Sequence, residues 1–290
     1  MKTKLSQLKE KGYCVFNQAL EKKVLGKIKR VSRQALEELT IEHRKNNKSQ
    51  GSLILLADYP DFGMLIGNEK LKEIFRILGF DDTRFSSGYI ISKPNNSPAL
   101  FWHQDWWGWD HPLSYTVQIA QVFVMIYLQD THPQNGCLRV IPRSHRSYHP
   151  LHLNQKAHTE SVSRVEDPND SIYNSLSEEV PVPVKCGDVI VGDARLIHGS
   201  FPNQSEDERT LITLWYHPHY NMLPGAMQSR ICEIFHRKGV DTDPDGEESM
   251  TLLKWPERFR QPIEALFPSC PEDSEPYPWC RIPSWSQSIK

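Results

Sequence analysis

Apolar residues in the first part of the chain recur at intervals of three and four positions, the spacing of one buried helix face. This pattern runs from residue 21 to about 44 and again from 68 to 78, where Gly79 offers a stop. It predicts two helices that act as a scaffold, within a helical N-terminal part that covers residues from about 1 to 80.

From residue 84 to 217 the pattern changes to short apolar runs separated by Pro, Gly, Asn and Asp, which is typical of an antiparallel β-fold. The predicted strands are 84–92, 115–128, 137–141, 180–185, 188–191, 195–197 and 209–216. They are enough for a sandwich or a barrel. The polar stretch 151–179 is predicted to be a long loop, and the proline-rich tail from Pro262 to be extended along the surface.

Charge and hydropathy exclude two classes of partner. The 290 residues carry 34 Lys and Arg against 36 Asp and Glu, so no global positive field attracts a phosphate backbone. No stretch approaches the roughly 20 apolar residues that a membrane span requires. We therefore expect neither nucleic acid nor a membrane as a partner. The N-terminal run MKTKLSQLKEKGYCVF lacks the apolar core of a secretory signal, so the mature chain is expected to begin at Met1.

The six cysteines are scattered without CxxC spacing, which disfavours a thiolate zinc site and a dense disulfide framework. They are Cys14, Cys137, Cys186, Cys232, Cys270 and Cys280. We expect free thiols in a reducing cytosol, and hence a cytoplasmic protein.

Three side chains form a candidate metal site. His103 and Asp105 are two residues apart, so on an extended segment both point to the same side. His198, which follows a strand-like run, is the best third ligand. Two imidazoles and one carboxylate on one face are the ligands of non-haem Fe(II) oxygenases. The alternative is a strand-end histidine that is hydrogen-bonded to a nearby acid. Arg209 begins an apolar strand eleven positions after His198, and a buried guanidinium there needs an anionic partner, such as a dicarboxylate.

Three motifs occur in order: WHQDWWGWD, then VFVMIYLQDTHPQNGCLRVIPRSH, then CGDVIVGDARLIHGSFPNQSEDER. Together they resemble the phytanoyl-CoA dioxygenase family of Fe(II)- and 2-oxoglutarate-dependent oxygenases, over residues from about 12 to 216. The resemblance implies a mainly β fold with flanking α-helices, the double-stranded β-helix or jelly roll. It also implies the cofactors Fe(II), 2-oxoglutarate and dioxygen. We predict one domain over 1–290, with a β-helix core from about 84 to 217 and a C-terminal extension from about 221 to 290.

The resemblance also assigns roles to residues. His103, Asp105 and His198 match the iron ligands, and Arg209 matches the arginine that pairs with the distal carboxylate of 2-oxoglutarate. Ser200 and Tyr89 fall where family members contact the same co-substrate. Two positions depart from the family pattern: Met125 stands where a tryptophan is common, and Arg143 replaces the glycine of a Pro-Gly-Ser-His turn. Because Asp105 is retained, the halogenase branch of this chemistry is disfavoured.

Aromatic residues suggest the substrate pocket. Trp106, Trp107 and Trp109 follow the metal dyad, and three indoles so close together cannot all be buried on one strand face. We predict that Trp109 or Trp106 lines the pocket, with Trp215 and, more weakly, His111 and Tyr115. Such a wall suits an apolar or planar substrate.

Other polar residues receive weaker assignments. Gln104 and Asp193 are candidates for orienting the imidazoles. The group Arg139, Arg143, Arg146 and His145 is interpreted as a solvated charge run rather than an anion site. The pairs His217 with His219 and His149 with His152 lack a third ligand at defined spacing. The acidic run from Asp241 is interpreted as a turn between helices rather than a calcium loop.

The leading hypothesis is therefore an iron- and 2-oxoglutarate-dependent dioxygenase that hydroxylates a small organic molecule and converts 2-oxoglutarate to succinate, acting as a monomer or homodimer. Desaturation, epoxidation and ring closure stay open as outcomes. An oxygenase for a protein side chain or an acyl-thioester is a second possibility. A third is a jelly-roll binding protein, or a cupin-like metalloenzyme without 2-oxoglutarate, and neither would make succinate.

Overall fold

The computed structural model of the protein describes residues 2–236 and 252–285. Within these ranges the strands are β1 (Tyr13–Phe16), β2 (Ile54–Leu55), β3 (Arg84–Lys93), β4 (Leu100–His103), β5 (Val122–Tyr127), β6 (Leu138–Val140), β7 (Val180–Val182), β8 (Val189–Asp193), β9 (His198–Ser200) and β10 (Arg209–His217). The helices are α1 (Lys4–Lys11), α2 (Lys22–Glu37), α3 (Ile41–Asn46), α4 (Gly63–Ile66), α5 (Glu69–Ile77), α6 (Glu160–Arg164), α7 (Gly225–Phe235) and α8 (Glu257–Arg260). Short 3-10 turns, among them Pro112–Tyr115 and Gln261–Leu266, connect them.

The described strands form two antiparallel sheets. The larger has the order β1-β8-β5-β10-β3-β2, and the smaller has the order β4-β9-β6-β7. Two such sheets with helices on one outer face form a jelly roll, which confirms the predicted fold class. All residues of β5 are buried. Its alternate residues Val122, Val124 and Ile126 pack under the helices, and Phe123, Met125 and Tyr127 fill the space between the sheets.

The N-terminal region is helical as predicted, with one difference in the first helix. The predicted helix from 21 to about 44 is two helices, because α2 ends at Glu37 and Thr40 caps α3 by accepting a hydrogen bond from the His43 backbone N–H at 3.0 Å. The predicted helix from 68 to 78 is α5. The buried faces of α2 and α5 join the core under the larger sheet.

Two strand predictions are corrected. The stretch 195–197 is not a strand, because the Asp193 carboxylate accepts hydrogen bonds from the backbone N–H and Nε of Arg195, both at 3.0 Å, and the chain turns there. The strand begins three residues later, at His198. The predicted strand 115–128 is shorter, since β5 begins at Val122 and the region before it contains a 3-10 turn.

The predicted loop and tail carry more regular structure than expected. The stretch 151–179 contains α6, and Val162, Ile172 and Tyr173 from this stretch pack against Phe101 and Trp102. The tail begins with the 3-10 turn Gln261–Leu266 rather than in extended form. The acidic run from Asp241 lies outside the described residues.

One cysteine prediction is wrong. Cys232 on α7 and Cys270 form a disulfide, which ties the C-terminal segment to that helix. Local spacing could not reveal the pair, because 38 positions separate the two residues. The other four cysteines have free thiols. Among the described helices, none has the length and apolar character needed to cross a membrane.

Candidate metal centre and adjoining cavity

His103 and His198 face each other across a pair of antiparallel strands. His103 ends β4, His198 begins β9, and the two are register partners with ring centroids 4.2 Å apart. The Asp105 carboxylate oxygens lie 3.7 Å from His103 Nε2 and 3.8 Å from His198 Nε2. The three candidate ligand atoms lie within 4.8 Å of one another, the only such group found in the described part of the chain. The structure thus brings together the three residues singled out in the sequence.

Both imidazoles are held in the orientation that a metal ligand requires. His103 Nδ1 lies 3.0 Å from the carbonyl oxygen of Phe101, and His198 Nδ1 lies 3.0 Å from that of Leu196. A carbonyl oxygen only accepts hydrogen bonds, so each Nδ1 carries a proton and Nε2 is the ring nitrogen left to face the metal position. Burial lowers the pKa of His103 to about 3, which keeps this imidazole neutral near pH 7.

Asp105 is fixed from two directions. Its backbone N–H donates to the carbonyl oxygen of Ala194 at 2.9 Å, and Trp215 Nε1 donates to its Oδ2 at 2.9 Å. Trp215 was predicted as a pocket residue, and it lines the cavity described below. Its hydrogen bond adds a second role, because it leaves the carboxylate less freedom to rotate away from the imidazoles.

Phe123 supports the His198 ring from inside the barrel, with ring centroids 4.7 Å apart. Its register partner on β8 is Gly192, where an added Cβ would lie 2.0 Å from the Phe123 ring. Glycine is therefore required at this position for steric reasons, because any side chain would displace the phenyl ring that packs on His198.

Arg209 lies inside the barrel, and no described residue forms an ion pair with it. Its side chain is 2% exposed, and its guanidinium lies 5.4 Å from the centre of the Tyr127 ring. Nε and Nη1 have no hydrogen-bond partner among the described residues. Burial lowers the pKa of this guanidinium, although an arginine stays charged in a protein. A buried, unpaired cation of this kind requires an anion.

Lys93 adds a second buried cation at this end of the barrel. It is the register partner of Arg209, and its Nζ donates to the carbonyl oxygens of Ser49 and Pro98. Burial, and then the charge of Arg209, lower the pKa of Lys93 well below its usual value. The sequence analysis missed this residue, although strict alternation along β3 places it on the same face as Tyr89.

Buried hydroxyl groups accompany Arg209. Ser200, two residues after His198, and Thr213 on β10 each have a buried hydroxyl oxygen without a partner in the described part of the structure. Thr213 lies between its register partners Tyr89 and Met125. The predicted co-substrate residues Arg209, Ser200, Tyr89 and Met125 therefore lie on strands that border one interior space.

A cavity of about 350 Å³ adjoins the metal centre. His103 and Asp105 form part of its wall, and most of the remaining wall is apolar or aromatic. Its aromatic residues are Phe85, Tyr89, Phe101, Trp107, Trp215, Phe235 and Trp279. Tyr89 packs edge-on against Trp215, with ring centroids 5.8 Å apart. The predicted aromatic wall is present, with different indoles from those expected.

The structure places Trp106 and Trp109 outside this cavity, which corrects their predicted role. Both are buried in a separate cluster with Leu223 and Met227, and Trp106 Nε1 donates to Ser114 Oγ at 2.8 Å. Trp107, between them in sequence, lines the cavity instead. The weaker candidates His111 and Tyr115 also lie outside the lining.

Several polar residues have structural roles that differ from those predicted. Gln104 donates to the carbonyl oxygen of Arg281 at 2.7 Å, and Asp193 forms an ion pair with Arg195 at 2.7 Å, so neither contacts an imidazole of the metal centre. Arg139 is not solvated: it is 1% exposed and pairs with Glu179 at 3.2 Å.

The other members of the predicted charge run differ from one another. His145 is buried, whereas Arg143 and Arg146 are exposed as predicted. Arg143, in place of the family's glycine, has a φ of 73°, so the turn keeps the left-handed conformation that glycine favours.

His217, His149 and His152, which the sequence analysis did not assign as ligands, have hydrogen-bond partners within the protein. His217 is buried between the carbonyl oxygen of Ala120 and the hydroxyl of Ser86, both at 3.1 Å. His149 and His152 cap a 3-10 turn.

Two cavity residues were missed altogether. His158, from the predicted loop, packs edge-on against His103 with ring centroids 5.1 Å apart. Arg281, from the C-terminal tail, donates through Nη1 to the carbonyl oxygens of Gln104 and Asp105, both at 3.3 Å. No local pattern points to Arg281, because 176 positions separate it from Asp105.

Comparison with known proteins gives consistent matches. The family model described as phytanoyl-CoA dioxygenase (PhyH) matches residues 8–211. A probable alpha-ketoglutarate-dependent hypophosphite dioxygenase of Stutzerimonas stutzeri is 23% identical over 205 residues, which cover 67% of this chain and 69% of that protein. Phytanoyl-CoA dioxygenase 1 of Oryza sativa subsp. japonica is 31% identical over 128 residues, which cover 44% of this chain and 42% of that protein.

Among solved structures, HygX from Streptomyces hygroscopicus, crystallised with nickel and 2-oxoglutarate bound, matches with a TM-score of 0.55 and 19% identity. The match covers 75% of this chain and 86% of HygX. At this identity the likeness concerns the fold.

Proposed function

Because the chain belongs to the phytanoyl-CoA dioxygenase family, it is an oxidoreductase that uses iron and 2-oxoglutarate, and we propose that it hydroxylates a small organic molecule. The observation that carries the proposal is the convergence of His103, Asp105 and His198 on one point beside a cavity with a largely apolar and aromatic wall.

The residues present fit both cofactors. Two imidazoles and a carboxylate form the facial ligand set of non-haem iron sites. Arg209 and the hydroxyl of Ser200 are buried donors without protein partners in the described part of the chain, as expected of groups that receive the oxygen atoms of a dicarboxylate. His103, Asp105 and His198 would hold the metal, and Arg209 would pair with the distal carboxylate.

When bound, iron and 2-oxoglutarate supply the oxidising chemistry, in which dioxygen is consumed and the keto-acid becomes succinate and carbon dioxide. The chain's own groups bind and orient. The carbonyl oxygens of Phe101 and Leu196 fix the two imidazoles, and Trp215 fixes the carboxylate. The aromatic wall would keep water away from the carbon that reacts. It would also position this carbon next to the ligand triad.

The size of the cavity favours a small substrate over the alternatives. About 350 Å³ is within the range of small-molecule sites. An oxygenase for a protein side chain would need an open groove, whereas the tail contributes Trp279 and Arg281 to the wall of this cavity. A single domain and a monomeric or homodimeric state remain predictions.

The proposal is tested by screening a library of small metabolites for succinate release by the iron-loaded protein, followed by mass spectrometry of the product under isotopically labelled dioxygen. We expect one library member to raise succinate production and to gain one labelled oxygen atom. A product that loses two hydrogen atoms without gaining oxygen would replace hydroxylation by desaturation. The absence of succinate with every compound, in protein that binds iron, would favour the binding-protein alternative. His198→Ala serves as the inactive control.

A further inference from the structure

The C-terminal tail places a cation in the wall of the substrate cavity. Arg281 lines the cavity, and its Nη1 donates to the backbone carbonyl oxygen of the metal ligand Asp105 at 3.3 Å. The guanidinium also lies 5.0 Å from the centre of the Trp279 ring, which limits its movement. A positive charge is therefore held next to the metal centre by a segment beyond the residues that match the family model.

The described partners of Arg281 leave its charge unpaired. They are the carbonyl oxygens of Gln104 and Asp105 and the Nε2 atom of His158, and no ion pair with a carboxylate is present among the described residues. A half-buried cation beside an apolar cavity is costly without a counter-charge. The Asp105 carboxylate is already engaged by Trp215 and faces the two imidazoles.

A second donor lies in the same wall. Trp107 lines the cavity, its side chain is 1% exposed, and its Nε1 has no partner in the part of the chain that the structure describes. Buried indole N–H groups normally have an acceptor. A cation and an unpaired N–H donor in one cavity wall favour a ligand that brings negatively charged oxygen atoms.

The distal carboxylate of the co-substrate does not account for these donors. Its proposed cation is Arg209, at the start of β10 and outside the lining of this cavity. Arg281 lines this cavity beside the metal ligand Asp105. One dicarboxylate cannot pair its distal group with both arginines.

We propose that Arg281 and Trp107 bind an oxyanion group of the substrate, a carboxylate or a phosphonate, while its apolar body lies against Tyr89, Trp215 and Trp279. This inference rests on the proposed function and adds the class of substrate to it. A guanidinium fork matches the geometry of both oxyanions.

The test is calorimetric titration of the protein loaded with Fe(II) and 2-oxoglutarate, without oxygen. The probes are a panel of carboxylic acids and alkylphosphonates that fit the cavity, each paired with its neutral amide or ester. The wild-type protein is compared with Arg281→Gln, Arg281→Lys and Trp107→Phe. The matched control is Arg258→Gln, which removes an exposed arginine of the same C-terminal extension, outside the cavity lining.

We expect at least one acid or phosphonate to bind the wild-type protein about tenfold or more tightly than its neutral partner. Arg281→Gln should abolish this preference, Arg281→Lys and Trp107→Phe should retain part of it, and Arg258→Gln should retain all of it. A preference for carboxylates or for phosphonates identifies the oxyanion.

Three results would overturn the inference. The first is that no anion binds the wild-type protein more tightly than its neutral partner, and the second is that Arg281→Gln keeps the preference for anions. The third is that Arg281→Gln weakens the binding of 2-oxoglutarate rather than that of the anions. If Arg281→Gln does not fold, an unchanged preference in both Arg281→Lys and Trp107→Phe would also overturn it. The visible absorption of the iron and 2-oxoglutarate complex is recorded in the same samples. If this absorption is missing from the wild-type protein, the proposed function fails; if it is present and no anion is preferred, only the inference about Arg281 fails.

Discussion

Replacing Trp215 with phenylalanine tests whether the hydrogen bond to Asp105 contributes to metal binding. The Trp215→Phe variant keeps an aromatic ring in the cavity wall and removes the donor that lies 2.9 Å from Asp105 Oδ2. A hydrogen bond to a charged group contributes about 1.5–3 kcal/mol. If that energy holds the carboxylate in its ligating position, the dissociation constant for the metal should rise by about tenfold to a hundredfold, the range seen when partners of metal ligands are removed.

The assay is anaerobic calorimetric titration with Fe(II), supported by circular dichroism and a melting curve. Trp255→Phe is the matched control, because it removes another buried indole donor, 2.7 Å from the carbonyl oxygen of Ala57, on a residue that does not line the cavity. We expect the control to lose stability and to keep its metal affinity. If Trp215→Phe is folded and binds Fe(II) as tightly as the wild type, the indole does not position Asp105 and the reasoning is refuted.

Three further predictions follow from other parts of the structure. Arg209→Ala should raise the KM for 2-oxoglutarate by about 30-fold or more, because the variant lacks the buried cation proposed to pair with the distal carboxylate of the co-substrate. The affinity for Fe(II) should not change, and an unchanged KM would contradict the role assigned to Arg209. Gly192→Ala should lower the free energy of unfolding by about 1–3 kcal/mol, because the new Cβ would lie 2.0 Å from the Phe123 ring. Gly26→Ala should raise the free energy of unfolding by about 0.5–1 kcal/mol, because no atom lies within 4 Å of the new Cβ. Chemical denaturation of both variants measures the two changes, and a Gly192→Ala variant as stable as the wild type would contradict the first. Cys270→Ser should lower the free energy of unfolding by about 4 kcal/mol, the loop-closure value for a separation of 38 residues. A melting curve equal to that of the oxidised wild type would argue against the disulfide.

The pair His103 and Asp105 was predictable because it depends on local geometry. The alternation of side chains along an extended segment predicts that these two residues face the same side, and the same rule places Arg209, Thr213 and Trp215 on one face of β10. The change of apolar spacing after residue 84 predicted an antiparallel sandwich or barrel, and the family resemblance then implied the jelly roll. Motif order, rather than any one motif, pointed to the family.

The substrate side was predicted less well because it depends on long-range packing. Trp106, Trp107 and Trp109 are equally apolar, and only the arrangement of α7 and the tail decides which indole reaches the cavity. Arg281 and the Cys232–Cys270 disulfide involve segments far apart in the chain, for which no local spacing exists. The turn at Asp193 and Arg195 was missed because apolar residues follow it and resemble a strand.

The central claim is that His103, Asp105 and His198 bind iron in an arrangement that also admits 2-oxoglutarate. Its most direct test is anaerobic titration of the apo-protein with Fe(II) and then 2-oxoglutarate, with the visible metal-to-ligand charge-transfer band as the signal. We predict a weak band that appears when the keto-acid is added and that is absent from His198→Ala. Binding of the keto-acid to the iron-loaded wild type without such a band, or an undiminished band in His198→Ala, would contradict the account.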